Sequence, residues 1–195
     1  MTRCATVRRT TGETDITLTI DLDGSGRVDV ETGVGFLNHM LAAFGRHGLF
    51  DLTVRATGDT DVDDHHTVED VGIVLGQAVA EALGDKRGIS RFSNVCIAMD
   101  EALVQAAIDV SGRGQAYVDL PLPTQKVGTF DCELAEEFFI AFARDAALTL
   151  HVRELEGANS HHIIEAAFKA LGRALRFACE LDPRVTGVPS TKGSL

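Results

Sequence analysis

Apolar and polar residues alternate near the start of the chain and then change to a helical period. Every second position from 16 to 22 is apolar, as in a half-buried strand, and Gly24-Ser25-Gly26 supplies a turn into a second extended segment at Arg27–Glu31. Apolar residues at positions 37, 40, 41 and 44 share one face of a helix. A strand at Phe50–Thr57 and a second amphipathic helix that ends near Gly84 complete this segment.

The same succession of elements returns in the second part of the chain. The pattern predicts strands at Phe92–Met99, Ala102–Val110 and Ala116–Asp119. It predicts helices around positions 134–142 and 164–175, where apolar residues again recur at helical spacing.

Matching residues indicate that the chain is an internal duplication. Glu13–Gly26 aligns with Glu101–Gly114 through shared Glu, Ile, Asp and Gly residues. The motif His-His-x-x-Glu at 65–69 recurs at 161–165. The spacing between matched blocks changes around 120–130, where we expect an extra loop, and near Gly157. Ordered matches along almost the whole chain favour duplication over coincidence.

Each half is therefore predicted to be a β-β-β-α-β-α unit. We expect an α+β fold in which the helices pack on one face of each antiparallel sheet. Residues 1–90 would form the first half, and residues 91–195 the second half with a C-terminal phosphate-binding tail. At this length the two halves suit one compact subunit.

Composition excludes several classes of protein. The chain has 195 residues, of which 45% are apolar, but no apolar run of about 18 residues, so no membrane span is expected. The N-terminal segment lacks an apolar leader, which predicts a cytoplasmic protein, and the four separated cysteines are expected to be reduced. The net charge of −11, without a Lys/Arg cluster, argues against nucleic-acid binding.

The repeated His-His-x-x-Glu motif predicts metal binding. On a helix, His65 and Glu69 share a face, as do His66 and Glu69, while the two adjacent imidazoles point in different directions. One motif is thus suited to ligating two different ions, and the same holds for His161, His162 and Glu165. The alternative is that these are polar helix starts, capped by Asp64 and Ser160, with histidines that only face solvent.

The first predicted helix carries a further candidate ligand. His39 lies opposite the apolar stripe of that helix, and the duplication aligns it with Glu137. Imidazole and carboxylate donors without thiolate suit Mn, Fe, Co, Ni or Zn. The alternative for Glu137 is a solvated helix residue.

An anionic ligand of so acidic a chain would require a few placed cations. In Pro189–Gly193, the Ser190 hydroxyl, the Lys192 ammonium and glycine-exposed backbone N–H groups are the groups that bind a phosphate. The alternative is a frayed tail. Further cationic candidates are Arg91, Arg113 and Lys169.

Four segments together resemble the imidazoleglycerol-phosphate dehydratase family. They are Gly35–Leu41, Asp63–Asp70, Asn159–Ala170 and Pro189–Gly193. The resemblance spans almost the whole chain in order. It implies a hydro-lyase that converts imidazole glycerol phosphate to imidazole acetol phosphate and water in histidine biosynthesis.

The resemblance also implies a ribosomal-protein-S5-domain-2-like duplicated fold, two Mn²⁺ ions (or other divalent metals) per active site, and a homo-oligomer of 24 subunits with sites between subunits. The implied metal ligands are His39, His65, His66, Glu69, His161, His162 and Glu165, to which the duplication adds Glu137. The implied substrate and phosphate groups are Glu13, Arg91, Arg113, Lys169, Ser190 and Lys192. The expected catalytic groups are Glu13 and Glu165.

Two positions depart from the pattern of the family. Many members have Asp where this chain has Asn38, and many have His where it has Glu137. The first change removes a carboxylate that could orient the ring of His39, and the second exchanges one ligand type for another. Glu101, the repeat counterpart of Glu13, has no active role implied by the resemblance.

Two other functions are compatible with the residues alone. A dinuclear metallohydrolase would use the same ligands to activate water on a phosphorylated or amide substrate. A metal-buffering shell protein would bind ions without catalysis, but it would not need the phosphate-binding groups of the tail.

Overall fold

Apart from one short hairpin in the second half, the two halves have the same order of elements in the computed structural model, which describes residues 3–195. The first half consists of β1 (Cys4–Thr10), β2 (Thr14–Asp21), β3 (Val28–Glu31), α1 (Gly35–Gly48), β4 (Asp51–Gly58) and α2 (His65–Leu83). The second consists of β5 (Phe92–Met99), β6 (Ala102–Asp109), β7 (Gln115–Asp119), the short strands β8 (Lys126–Val127) and β9 (Phe130–Asp131), α3 (Leu134–Asp145), β10 (Thr149–Glu156) and α4 (Ser160–Cys179). The expected β-β-β-α-β-α order is confirmed.

Each half contains one four-stranded sheet, and these sheets are mixed. The strand orders are β1-β2-β4-β3 and β5-β6-β10-β7. The strands β3 and β4 are parallel, as are β7 and β10, whereas the other pairs are antiparallel. The prediction of purely antiparallel sheets is therefore wrong. A helix connects each parallel pair, because parallel neighbours require a crossover rather than a tight turn.

The central strands bury alternate side chains, as their pattern predicts. On β2, Ile16, Leu18 and Ile20 are fully buried, and the residues between them face outward. On its counterpart β6, Val104 and Ala106 are also fully buried. One face of each sheet therefore packs against helices and joins a single apolar core.

The helices of one half pack against those of the other. Helix α1 contacts α4, and α2 contacts α3. Two matched glycines permit both approaches: a Cβ at Gly76 would lie 2.6 Å from the carbonyl oxygen of Phe142, and a Cβ at Gly172 would collide with the carbonyl of Phe44. The duplication is thus also a pseudo-symmetry, which brings the first helix of each half against the last helix of the other.

The extra segment around 120–130 contains the hairpin of β8 and β9 rather than an unstructured loop. At its base, the backbone N–H of Cys132 donates to the carbonyl oxygen of Gln125 over 2.8 Å. None of the helices among the described residues is both long and apolar enough to cross a membrane.

Candidate metal centre and substrate site

The two His-His pairs lie in the first turns of α2 and α4. Asn159 caps α4, because its side-chain oxygen accepts from the backbone N–H groups of His161 at 2.9 Å and His162 at 3.4 Å. At the start of α2, Asp63 accepts from the backbone N–H of His65 at 2.8 Å. The cap of α4 is therefore Asn159 rather than the expected Ser160. At α2 the expected Asp64 occupies the N-cap position, but its side chain makes no capping hydrogen bond, and the carboxylate of the preceding Asp63 bonds to the first turn instead.

The paired imidazoles point to different surroundings. The ring centroids of His65 and His66 are 6.1 Å apart with planes at 85°, and those of His161 and His162 are 6.1 Å apart at 81°. This agrees with the expected divergence of adjacent side chains on a helix. Each motif consequently contributes to two separate groups of polar side chains.

One group joins α1 to α4 and has the composition of a metal site. His39 Nε2 lies 3.0 Å from Glu165 Oε2, and His161 Nε2 lies 3.2 Å from the same oxygen. All three donor atoms lie within 4.8 Å of one another. Phe36 packs edge-on against His161, with 5.1 Å between ring centroids. Two imidazole nitrogens and one carboxylate oxygen suit a borderline divalent cation, so these residues fit the expected ion.

Lys169 forms an ion pair with the second carboxylate oxygen of Glu165. Its Nζ lies 2.7 Å from Glu165 Oε1, one helical turn further along α4. Burial alone would raise the pKa of Glu165, but the hydrogen bonds and charges of Lys169 and His39 lower it to about 2. Glu165 is therefore an ionised carboxylate at neutral pH, which is the form that a metal binds. Lys169, expected to bind substrate, lies beside a candidate ligand.

A second group joins the end of β4 to the start of α2 and includes Glu13. Asp59 accepts from His66 Nδ1 at 3.0 Å, and this hydrogen bond raises the pKa of His66. The other ring nitrogen, Nε2, lies 3.7 Å from Glu13 Oε1. Asp59 therefore orients the ring, and the Glu13 carboxylate remains half exposed beside it.

The corresponding group in the second half is built differently. Glu101 accepts directly from His162 Nδ1 at 2.7 Å, which lowers the pKa of Glu101 and raises that of His162. The position of Asp59 is taken by Gly157 in the repeat alignment, so no equivalent carboxylate is present there. Glu101, to which the resemblance gave no role, thus contacts a candidate ligand.

The polar side chains of the α2/α3 pair lie farther apart than those of the α1/α4 pair. His65 Nε2 lies 3.9 Å from Glu69 Oε2, and Arg144 of α3 reaches within 3.9 Å of Glu69 Oε1. Glu137 is half-buried in the first turn of α3. Within residues 3–195, the Glu137 carboxylate has no hydrogen-bonded or ion-paired partner and does not join His65 and Glu69 in a three-donor group.

Asn38 supports the loop before α1 rather than the ring of His39. Its Oδ1 accepts from the backbone N–H of Thr32 at 3.0 Å and from the Thr32 hydroxyl at 2.7 Å. Thr32 is fully buried. An amide oxygen is sufficient for both bonds, so the change from Asp to Asn preserves this interaction.

Apart from Lys169, the candidate phosphate groups lie in a separate region formed by Arg91, Arg113 and the C-terminal tail. Arg91 donates from Nε to Asp109 at 2.7 Å and from Nη1 to the carbonyl oxygen of Pro189 at 2.8 Å, which ties the tail to the second sheet. Arg113 lies 3.9 Å from the same Asp109. In the tail, the Ser190 hydroxyl accepts from the backbone N–H of Lys192 at 3.1 Å. Among the described residues, no side-chain hydrogen bond or ion pair joins this cluster to His39, His161 or Glu165.

Comparisons with known proteins identify the family. The sequence profile described as imidazoleglycerol-phosphate dehydratase matches residues 32–175. The chain belongs to the imidazoleglycerol-phosphate dehydratase family. Curated dehydratases from Desulforamulus reducens and Dinoroseobacter shibae are 60% and 61% identical to it, over 100% and 99% of the chain and 100% of each relative.

Solved structures of the dehydratase family have the same fold. The crystal structure of the Staphylococcus aureus dehydratase has a TM-score of 0.83 at 42% identity and covers 92% of this chain and 99% of its own. That of the Pyrococcus furiosus protein has a TM-score of 0.85 at 40% identity and covers 97% and 100%. The prediction of an α+β fold with duplicated units is confirmed.

Sequence reasoning missed two carboxylates that contact candidate metal ligands, Glu101 beside His162 and Asp59 beside His66. Glu101 had a signal, since it aligns with Glu13 across the duplication, but that match did not show its contact with His162. Asp59 had none, because its repeat partner is Gly157 and it follows the end of β4 without a motif.

Proposed function

We propose that this chain removes water from imidazole glycerol phosphate to give imidazole acetol phosphate in histidine biosynthesis, and that divalent metal ions are required. The observation that supports this most strongly is the convergence of His39, His161 and Glu165 from two helices in a member of the dehydratase family. The cationic cluster around Asp109 would bind the phosphate of the substrate.

Two Mn²⁺ ions per active site are the proposed cofactors. The divergent imidazoles of each motif would serve different ions, and the remaining expected ligands, His65, His66, Glu69, Glu137 and His162, would complete the coordination. When bound, the ions would polarise the substrate imidazole as Lewis acids and orient it.

Glu13 is the proposed proton-transfer group. Its carboxylate is about half exposed, and its contact with His66 is longer than a hydrogen bond, so Oε1 and Oε2 are free to accept and return a proton at the substrate. Asp59 occupies Nδ1 of His66, which keeps Nε2 facing Glu13. Glu165 is the second catalytic candidate, although Lys169 and the two histidines already engage both of its oxygens.

The complete site would lie between subunits of a homo-oligomer, which we propose to contain 24 chains. The number of chains is the one that the family resemblance implies. Sharing of sites between chains is supported because the candidate groups of one chain form separate clusters, each with too few donors for an octahedral ion. If ligands from neighbouring chains share an ion, metal binding includes association free energy. Chelation is then expected to shift the particle to a smaller species in light scattering, whereas an unchanged mass after complete metal removal would contradict shared sites.

An assay of metal-free and Mn-loaded protein with imidazole glycerol phosphate tests the function. We expect imidazole acetol phosphate from the Mn-loaded protein only. Release of inorganic phosphate without the keto product would indicate a metallohydrolase instead. If the protein binds Mn²⁺ but converts the substrate to no product, metal storage is the remaining function of the three.

A further inference from the structure

A buried polar network lies beneath the proposed proton-transfer group in the first half. Asp70 of α2 is 6% exposed and accepts from the Thr14 hydroxyl at 2.5 Å. The guanidinium of Arg9 on β1 donates to the same carboxylate oxygen. A single carboxylate therefore joins β1, β2 and α2.

This network connects the two segments that carry Glu13 and His66. Thr14 directly follows Glu13, and Asp70 lies one helical turn after His66. The backbone N–H groups of Glu13 and Thr14 both donate to the Thr11 hydroxyl, at 3.1 Å and 3.0 Å. The position of Thr14 relative to α2 therefore determines where the backbone of Glu13 lies relative to the His66 ring.

Close packing between the ends of β2 and β4 and the start of α2 fixes Thr14 relative to the helix. Thr14 pairs with Gly58 across β2 and β4, and a Cβ at position 58 would collide with the Thr67 hydroxyl and lie 3.4 Å from Thr14 Cγ2. Thr67 is fully buried beside His66. The start of α2 therefore rests directly on the strand ends, so a shift of Thr14 would move Glu13 against the helix.

The second half adopts the same fold, but apolar residues occupy the positions of this network. The repeat alignment places Ile97, Ala102 and Ala166 where the first half has Arg9, Thr14 and Asp70. The strand register supports this, since Arg9 pairs with Ile16 and Ile97 pairs with the equivalent Val104. Ala102 and Ala166 are buried, and Ile97 packs against the core. The architecture therefore does not need a buried charge here, and buried ion pairs seldom stabilise a fold more than apolar residues of similar volume do.

We propose that Arg9, Thr14 and Asp70 are positioning residues. Their role is to hold the Glu13 carboxylate at the correct distance from the His66 ring during catalysis. None of them needs to touch the substrate. The inference rests on the proposed role of Glu13 and extends it to the residues that place this carboxylate.

The duplication itself supplies the test variant. The triple variant Arg9→Ile, Thr14→Ala, Asp70→Ala gives the first half the residues of the second. We expect it to fold, to keep its Mn content, and to lose turnover by roughly 10- to 100-fold with KM changed by less than about threefold, because misplacement of about 1 Å affects the chemical step. The matched control is Arg8→Ala with Asp15→Ala, an ion pair on the exposed face of the same strands, which should leave turnover unchanged.

Coupling to Glu13 separates positioning from a general structural defect. In a Glu13→Gln background the triple substitution should cause little further loss of turnover, since the group that it positions is already absent. Full additivity of the two losses, or a triple variant with wild-type kcat while Glu13→Gln is impaired, would overturn this inference alone. A fully active Glu13→Gln would overturn the role of Glu13 and this inference with it.

A single substitution covers the case in which the triple variant does not fold. Thr14→Val keeps the shape of the side chain but removes the hydroxyl, whereas Thr14→Ser keeps the hydroxyl. We expect reduced kcat in the first and near-normal kcat in the second, at similar Tm. Equal kcat in both variants would contradict a positioning role for this hydrogen bond.

Discussion

The α1/α4 and α2/α3 helix pairs are related by the duplication, yet only the first brings three metal-type donors together. In the first pair, His39, His161 and Glu165 lie within 4.8 Å of one another. In the second, His65 and Glu69 are 3.9 Å apart. Both pairs approach closely at an equivalent glycine, Gly172 or Gly76. The difference between the pairs is seen in the side chains that surround each motif.

Neighbouring cations account for part of the contrast. Glu165 has Lys169 one turn along its own helix at 2.7 Å, and Ile73 occupies the equivalent position on α2. Glu69 instead has Arg144 from the facing helix at 3.9 Å. A close cation on the same helix fixes one carboxylate oxygen and directs the other toward the histidines. The two copies of the motif thus have the same spacing of residues. The neighbouring side chains determine which copy has its donor atoms already arranged for a metal ion.

Glu13 and Glu101 give the largest expected difference between the halves. Glu13→Gln keeps the shape of the side chain but removes the base, so turnover should fall by roughly 10²–10⁴-fold. Glu101→Gln should cost less, about 10- to 100-fold in metal affinity or turnover, because Glu101 orients His162 through Nδ1. Steady-state kinetics with metal analysis measures both. Equal losses of turnover at unchanged metal content would mean that the two positions matter in the same way, and that Glu13 has no special chemical role.

The C-terminal tail belongs to the second half alone and should affect binding rather than chemistry. Lys192→Ala is expected to raise KM by roughly 10- to 100-fold, since a charge-assisted hydrogen bond contributes about 1.5–3 kcal/mol. Metal content should not change. Lys126→Ala is a suitable control, because Lys126 pairs with Asp131 in the β8/β9 hairpin. A normal KM for Lys192→Ala would show that Lys192 has no part in binding the substrate.

Glu137 tests whether the α2/α3 pair also holds an ion. If it is the counterpart of His39, Glu137→Ala should lose or weaken one of about two ions, and Glu137→His should keep both. Glu136→Ala, an exposed neighbour in the same first turn, should have little effect. Elemental analysis after dialysis distinguishes the variants. Full metal occupancy and activity in Glu137→Ala would contradict the assignment of Glu137 as a ligand. Its carboxylate would then only stabilise α3 by interacting with the helix dipole at the N-terminus.

The sequence predicted the scaffold better than the site. Periodicity located the strands and helices, because alternating and helical burial patterns directly reflect which side chains reach the core. It did not predict parallel strands, since the direction of β3 and β7 depends on crossover geometry that their own residues do not encode. The contacts of Glu101 and Asp59 likewise depend on rotamers and on the meeting of distant segments. The contact between Lys169 and Glu165 is different, because residues at i and i+4 of one helix are neighbours and their pairing follows from spacing alone.

The smallest expected effect concerns the pH dependence of Glu165. Its pKa is lowered to about 2 from 4.5, so its ion pair stabilises the fold above about pH 4.5 and this contribution disappears as the pH falls toward 2. In Lys169→Met the Glu165 carboxylate keeps its two histidine neighbours but loses its lysine partner. This loss should destabilise the metal-free protein at neutral pH and cease to do so once the carboxylate is protonated. Thermal unfolding between pH 2 and 7 should therefore show a difference in Tm that shrinks with acidity. A difference that is constant with pH would exclude this ion pair as its cause, and Lys126→Met serves as an exposed control.

The number of ions per chain tests the account of the duplicated motifs most directly. Two copies of His-His-x-x-Glu, each with divergent imidazoles, should supply the ligands of about two divalent ions per subunit. Elemental analysis of protein purified with Mn²⁺, with the chain concentration determined independently, measures this ratio. We expect a value of about two that falls when His161 is replaced by Ala. A ratio of one or zero in the unmodified protein would contradict the two-metal account.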